Sequence, residues 1–239
     1  MIDVSYAQAM KLIAHRGWSE GAEENTAAAF ERAAADARVA GVEFDICRAA
    51  DTGALVVSHD PPPQGKAALP LDAALSLLAP TRLELLVEIK QPGLAEAVIE
   101  RLVARGVAAR SVVFAFAPVA ASFAWQRARP VRLGIIVLYP WQLAQTASKY
   151  APDMLLLGWD QRAWTRLAFR AWWSAFSLEG LARRHGLPVV AGIVQHAGDL
   201  DWLARQNIHA AVADMDQACA GSYAPRAIPL SASSRGSSS

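Results

Sequence analysis

Short apolar runs alternate with longer alanine-rich stretches along almost the whole of this 239-residue chain. That alternation constrains the fold more than any other feature. The apolar runs predict strands over 11–15, 41–47, 55–59, 84–90, 111–116, 133–138, 154–157, 188–194 and 210–213. The stretches between them predict helices over 26–40, 71–79, 94–105, 118–128, 141–150, from Gln161 onward, 178–185 and 199–206, because their apolar residues recur at helical spacing. Glycines and prolines mark the joins, among them Gly17, Gly93, Gly106, Pro130, Pro140 and Gly186. Most of the strands have no polar face, as expected of parallel strands buried on both sides. Repeated β-then-α units therefore predict a parallel sheet with helices outside it. About eight such units without a linker predict one α/β domain over 1–230, a single closed (β/α)₈ barrel. An open doubly wound sheet is the alternative, but no glycine-rich dinucleotide fingerprint supports it. Residues 231–239 are mostly serine and read as a disordered tail.

Composition narrows the function. Hydrophobic residues make up 54% and charged residues 19%, enough apolar surface to exclude general disorder. The net charge of +1 gives no global field that would attract nucleic acid. No stretch reaches the roughly 18 apolar residues of a transmembrane segment. The first ten residues lack a basic leader pattern, so a cytoplasmic location is expected. Cys47 and Cys219 are too few for a disulfide scaffold and are expected to be structural. The sequence is silent on oligomeric state.

Charge interrupts the apolar strands at a few positions. In Gly41-Val42-Glu43-Phe44-Asp45-Ile46 the two acids are two residues apart, and such side chains share a strand face. Val42, Phe44 and Ile46 then face the helices, while Glu43 and Asp45 face the barrel interior. The same rule sends Glu88 and Lys90 inward together. Three buried acids need compensation, and one lysine is insufficient. A hard divalent cation would supply it, and oxygen-only ligands favour Mg²⁺, Ca²⁺ or Mn²⁺ over zinc. An ion-pair network with Arg16 or Arg48, or a solvent-facing strand, is the equally weighted alternative. His15 and His59 each end a predicted strand, where a parallel strand leaves the sheet and barrel active sites are built. Two imidazoles beside inward acids suit general acid–base chemistry. With cationic Arg16 and Lys90, the set suits a substrate that develops negative charge on oxygen, such as a small-molecule phosphoester.

Five ordered motifs carry a resemblance. His15-Arg16-Gly17, Glu24-Asn25-Thr26, Glu43-Phe44-Asp45, His59-Asp60 and Glu88-Ile89-Lys90 follow the pattern of the glycerophosphodiester phosphodiesterase family, and Phe30 matches its first-helix aromatic. The resemblance is strong from Ile13 to Lys90 and weak beyond. It implies a TIM barrel that uses one divalent cation, Mg²⁺ or Ca²⁺ with Mn²⁺ as a further option, held by Glu43, Asp45 and Glu88. It implies His15 and His59 as the acid–base pair, with Arg16 and Lys90 on the phosphate. The implied reaction cleaves a glycerophosphodiester to glycerol 3-phosphate and an alcohol. Which histidine acts first as base stays open. So do cleavage of a lysophospholipid, release of a cyclic phosphate, and phosphoester binding without turnover. For Asn25-Thr26, a plain helix cap weighs as much as a site role.

The chain departs from the family pattern in several places. The stretch from Pro61 to Leu83 is short where the family carries an insertion. A late strand reads Gly192-Ile193-Val194-Gln195 without the family's tryptophan, Ala213-Asp214 stands for Thr-Asp, and Ala115 stands where a serine is common. These changes predict altered substrate walls around an intact metal centre. Finally, Arg162, Arg166 and Arg170 form a basic stripe if residues 161–176 are helical. An ordinary outer helix is the favoured reading of this segment; a lid or a peripheral contact for anionic lipid headgroups is the other.

Overall fold

The computed structural model describes residues 10–19, 23–125, 128–159 and 162–219. The predicted tail at 231–239 lies outside the described residues, as does the end of the predicted 1–230 domain. Ten strands are described: β1 Lys11–His15, β2 Val39–Arg48, β3 Leu55–Val57, β4 Leu69–Pro70, β5 Glu84–Ile89, β6 Ser111–Phe116, β7 Arg132–Val137, β8 Met154–Gly158, β9 Val189–Val194 and β10 Ala210–Ala213. Eight of them form a closed parallel barrel in the order β1-β2-β5-β6-β7-β8-β9-β10, with β10 pairing back to β1. The helices are α1 Ala27–Ala35, α2 Leu71–Leu78, α3 Ala95–Ala104, α4 Ala117–Ala120, α5 Leu143–Tyr150, α6 Ala163–Phe176, α7 Leu178–His185, α8 Ala197–Ala204 and α9 Met215–Ala218. This is the predicted (β/α)₈ barrel, and no described helix is long and apolar enough to cross a membrane.

Strand alternation divides the apolar residues into two cores. Ile13, Leu86, Val112, Phe114, Met154, Leu156, Val190 and Val212 fill the barrel interior. Val42, Phe44, Ile46, Leu85, Val87 and Ile135 point outward and pack with helix residues such as Phe30, Leu75 and Val98. Ala115 belongs to this outer core, so it is not a substrate wall as its place in the pattern had suggested. Its neighbours Phe114 and Phe116 face inward instead. Gly192 lies where β9 meets β10. A Cβ there would sit 2.5 Å from the Val212 carbonyl oxygen, so only glycine permits this approach.

The predicted strand at 55–59 shortens to β3, which is antiparallel to β2 and lies outside the barrel. The expectation that His59 ends a parallel barrel strand is therefore wrong. It follows the returning arm of a hairpin that extends β2 beyond the rim. The Ser58 amide donates to the Asp45 carbonyl at 3.0 Å, and the Cys47 thiol donates to the Ser58 carbonyl at 3.1 Å. These bonds bring His59 back to the mouth. Two helices are shorter than predicted: α1 stops at Ala35 because β2 begins at Val39, and α4 is one turn long.

Opposite the mouth, the barrel is closed by charge. Glu84 at the start of β5 accepts from Lys11 Nζ at 2.9 Å and pairs with Arg132, with His209 Nε2 at 3.5 Å. Burial would raise the Glu84 carboxyl, but hydrogen bonds from Lys11 and Arg132, with His209 close by, hold it well below its ordinary value.

Candidate active site

The mouth of the barrel brings the sequence-predicted residues together. His15, Arg16, Glu43, His59, Glu88 and Lys90 line one cavity of about 230 Å³. Register explains the meeting. His15 on β1 lies beside Glu43 on β2, and Asp45 on β2 lies beside Glu88 on β5. Ligand atoms of Glu43, Asp45 and Glu88 all fall within 4.8 Å of one another.

Asp45 is 1% exposed and is held by three groups. Arg16 Nε lies 2.9 Å from Oδ2, Asn25 Nδ2 donates to Oδ2 at 3.0 Å, and Lys90 Nζ lies 3.4 Å from Oδ1. Arg16 (φ 53°) and Asn25 (φ 58°) both adopt the left-handed backbone region, which costs energy in non-glycine residues. The Asn25 amide donates to the Arg16 carbonyl at 2.9 Å, so both side chains reach Asp45 from adjoining backbone. Gly17 (φ 83°) sets the chain close against α1, where a Cβ would meet Ala29 at 2.8 Å. At Asn25-Thr26 the helix cap and the site role fall on different residues. Thr26 caps α1 by accepting from the Ala29 amide at 3.2 Å, and Asn25 orients Asp45.

Glu88 accepts from Lys90 Nζ at 2.9 Å. Glu43 has no such cation. Its Oε2 accepts the Arg16 backbone amide at 3.2 Å and lies 3.9 Å from His15 Nε2. Burial first, then the Asp45 and Glu88 charges, push the Glu43 carboxyl well above its ordinary value. Burial and Asp45 push Glu88 up as well. Burial would lower Lys90 and Arg16, but the acids beside them raise both, so they remain cationic. Three carboxylates face two side-chain cations, and the protein's own charges leave the cluster repelling itself. An all-carboxylate oxygen donor set with uncompensated negative charge fits a hard divalent cation. Of the two cations weighed for an internal ion-pair network, Arg16 joins the cluster. Arg48 turns away and donates to the Gly53 carbonyl at 2.7 Å.

Two further residues complete the geometry and were not assigned a role from sequence. Asp214, just past β10, has Oδ1 at 2.6 Å from His15 Nδ1. Gln195, just past β9, donates from Nε2 to Asp214 Oδ2 at 2.9 Å. Burial would raise Asp214, but the His15 hydrogen bond holds it below the ordinary carboxylate range. This keeps an acceptor at Nδ1 and the ring proton on that nitrogen, leaving Nε2 toward the cavity. His59 Nδ1 lies 3.1 Å from Asp60 Oδ2. His196 is exposed and stays outside the cavity lining.

The mouth is asymmetric. Its charged side comes from β1, β2, β5 and the β3 hairpin. Its other side comes from β6 to β9 and presents Phe114, Phe116, Ile136, Leu138, Leu156 and Val190.

No protein-family model matches this sequence, and no curated protein matches it. Solved structures do. A glycerophosphodiester phosphodiesterase from Parabacteroides distasonis superposes with a TM-score of 0.66 at 18% identity, covering 87% of this chain and 93% of the other. One from Agrobacterium tumefaciens gives 0.66 at 17% identity, covering 89% and 100%. The chain shares their barrel fold. A phosphodiesterase from Oleispira antarctica, solved with its product sn-glycerol-3-phosphate, gives 0.63 at 19% identity over 87% and 94%.

The segment after β8 forms α6, which packs outside the barrel. Its arginines are not a free basic stripe: Arg166 and Arg170 donate to the two oxygens of Asp199, 1% exposed at the start of α8, at 2.8 and 2.7 Å. Cys47 is buried with its thiol pushed up to about 11, first by burial and then by Asp45. Such a thiol is inert as a nucleophile and fits the structural role expected for it.

Proposed function

We propose that this protein is a metal-dependent phosphodiesterase that cleaves a glycerophosphodiester-type substrate by histidine acid–base catalysis. The observation that carries the proposal is the convergence of Glu43, Asp45 and Glu88 within 4.8 Å, with Glu43 and Glu88 lining the cavity that His15, His59, Arg16 and Lys90 also line and Asp45 buried beneath them. The barrel fold shared with glycerophosphodiester phosphodiesterases, and with a phosphodiesterase solved with its product sn-glycerol-3-phosphate, supports the reaction class.

Glu43, Asp45 and Glu88 would hold the cation. When bound, it supplies a Lewis acid that withdraws charge from a phosphoryl oxygen. Arg16 and Lys90 attract and orient the phosphate and stabilise negative charge as it builds on the oxygens. His15, with Nδ1 bound to Asp214, has Nε2 free to exchange a proton with the substrate. His59 faces the same cavity from the hairpin. One imidazole takes the proton of the attacking oxygen, from water or from a neighbouring substrate hydroxyl. The other gives a proton to the departing alcohol. The apolar wall opposite excludes water and strengthens these charge interactions.

Hydrolysis of sn-glycero-3-phosphocholine and related diesters, followed by phosphorus NMR, tests the proposal. The expected result is turnover that stops with chelator and returns with Mg²⁺, Ca²⁺ or Mn²⁺. A cyclic phosphate product would mark attack by the substrate's own hydroxyl. Chelator-resistant turnover, or phosphoester binding with no turnover across the panel, would contradict it.

A further inference from the structure

The apolar half of the cavity offers no group that binds phosphate, and it does not end at the mouth. Leu138, Gly158 and Trp159 line the catalytic cavity and also a second groove, which continues outward between the β7–α5 connection and α6. That groove is walled by Tyr139, Trp141, Trp164, Ala168 and Trp172. The two spaces form one path. It starts at the cations and imidazoles, passes Phe114, Ile136 and Leu156, and runs out along α6. Phe114, Ile136 and Leu156 along its inner stretch offer no hydrogen-bond donor or acceptor; Trp159, where the two spaces meet, carries an indole N–H. Its outer walls include large apolar residues exposed to water: Trp141 at 70% and Trp164 at 59%, with Phe116 at 40% where the path begins. A soluble protein rarely leaves such a strip open without an occupant.

Chemistry decides what fits. A sugar or glycerol group placed along Phe114, Ile136 and Leu156 would lose its water and find no hydrogen-bond partner, which is costly. An unbranched hydrocarbon loses nothing there and gains by burial. The occupant must also carry a phosphate at one end, because the path opens from the phosphate-facing half of the cavity. We infer that the substrate is a phosphodiester bearing a single aliphatic chain, of the lysophospholipid class, with its chain lying in this path. This inference names the substrate of the site proposed above and rests on that proposal for turnover, though not for binding.

The experiment has two arms. The first measures kcat/KM for sn-glycero-3-phosphocholine and its butyryl, octanoyl and lauroyl lyso-esters, all below their micelle concentrations. The second measures affinity for methyl, octyl and dodecyl phosphate by calorimetry. Both arms are repeated with Ala168→Trp, which fills the outer groove from an exposed helix position, with thermal unfolding as the check on folding. Expected are gains of up to about fourfold per added methylene until the path is filled. In Ala168→Trp the gain should stop at a shorter chain. Turnover that is flat with chain length, together with equal affinity for all three alkyl phosphates, would overturn the inference and leave the phosphodiesterase proposal standing. Affinity that rises with chain length but no turnover of any ester would overturn the phosphodiesterase proposal and leave the chain path standing. A chain-length response unchanged by Ala168→Trp would remove the outer groove from the path.

Discussion

Glu84 and Glu88 stand on the same strand, face the same barrel interior and lie four residues apart, yet their surroundings drive them in opposite directions. Glu84 meets Lys11, Arg132 and His209 and is held low. Glu88 meets one cation and two other carboxylates and is pushed up. The closed end of the barrel is electrostatically complete and serves stability. The open end is incomplete in its own charges, which is what a site for an external cation requires. Buried acids are therefore not evidence of function by themselves; the number of cations around them is.

The largest effect expected from this contrast is on turnover. Glu88→Gln should lower kcat by about 10³-fold, because it removes a proposed ligand of the Lewis acid. Glu84→Gln should leave kcat within a small factor at temperatures where it is folded. Equal losses in the two variants, measured on one diester, would erase the distinction.

Stability should show the reverse. Glu84→Gln should cost about 1–2 kcal/mol at neutral pH, since it removes the charge from a buried acid whose partly exposed partners Lys11 and Arg132 can turn to water. Because the folded Glu84 is depressed below its ordinary 4.5, its contribution is complete above about that pH and fades as the pH falls further. Denaturant unfolding between neutral and acid pH should thus be flatter for Glu84→Gln than for wild type. Glu88→Gln should leave the metal-free protein as stable as wild type or more so, because it relieves repulsion. A clear destabilisation by Glu88→Gln without metal would count against a self-repelling cluster.

Smaller effects sharpen the open end. Asp214→Asn should reduce kcat by about 10²-fold with KM nearly unchanged, because His15 loses the anion that fixes its proton. A loss carried by KM with kcat unchanged would make Asp214 merely structural. Asn25→Ala should weaken divalent cation binding by about tenfold, since it frees Asp45 from one of its orienting donors. Unchanged binding would show that Arg16 and Lys90 suffice.

Much of this architecture was legible because strand periodicity is strict. A two-residue spacing fixed Glu43 with Asp45 and Glu88 with Lys90 on one face, and the apolar runs located the barrel strands within a few residues. Other features had no local signal. A three-residue strand such as β3 reads the same whether parallel or antiparallel, so the hairpin under His59 was invisible. Asp214 follows a run of small residues with no marked periodicity, and its partner His15 lies 199 positions away. Helical spacing revealed the arginine stripe on α6, but not that Asp199, far along the chain, neutralises two of its members. The apolar outer groove was hidden because Trp141 on the β7–α5 connection and Trp164 on α6 come to one groove only in the folded chain.

Calorimetric titration of Mg²⁺ or Ca²⁺ into the metal-free protein, side by side with Glu43→Gln, addresses the acidic cluster most directly. The account predicts one saturable cation site per chain in the wild type and its loss in the variant. No binding by the wild type, or identical isotherms for both proteins, would contradict it.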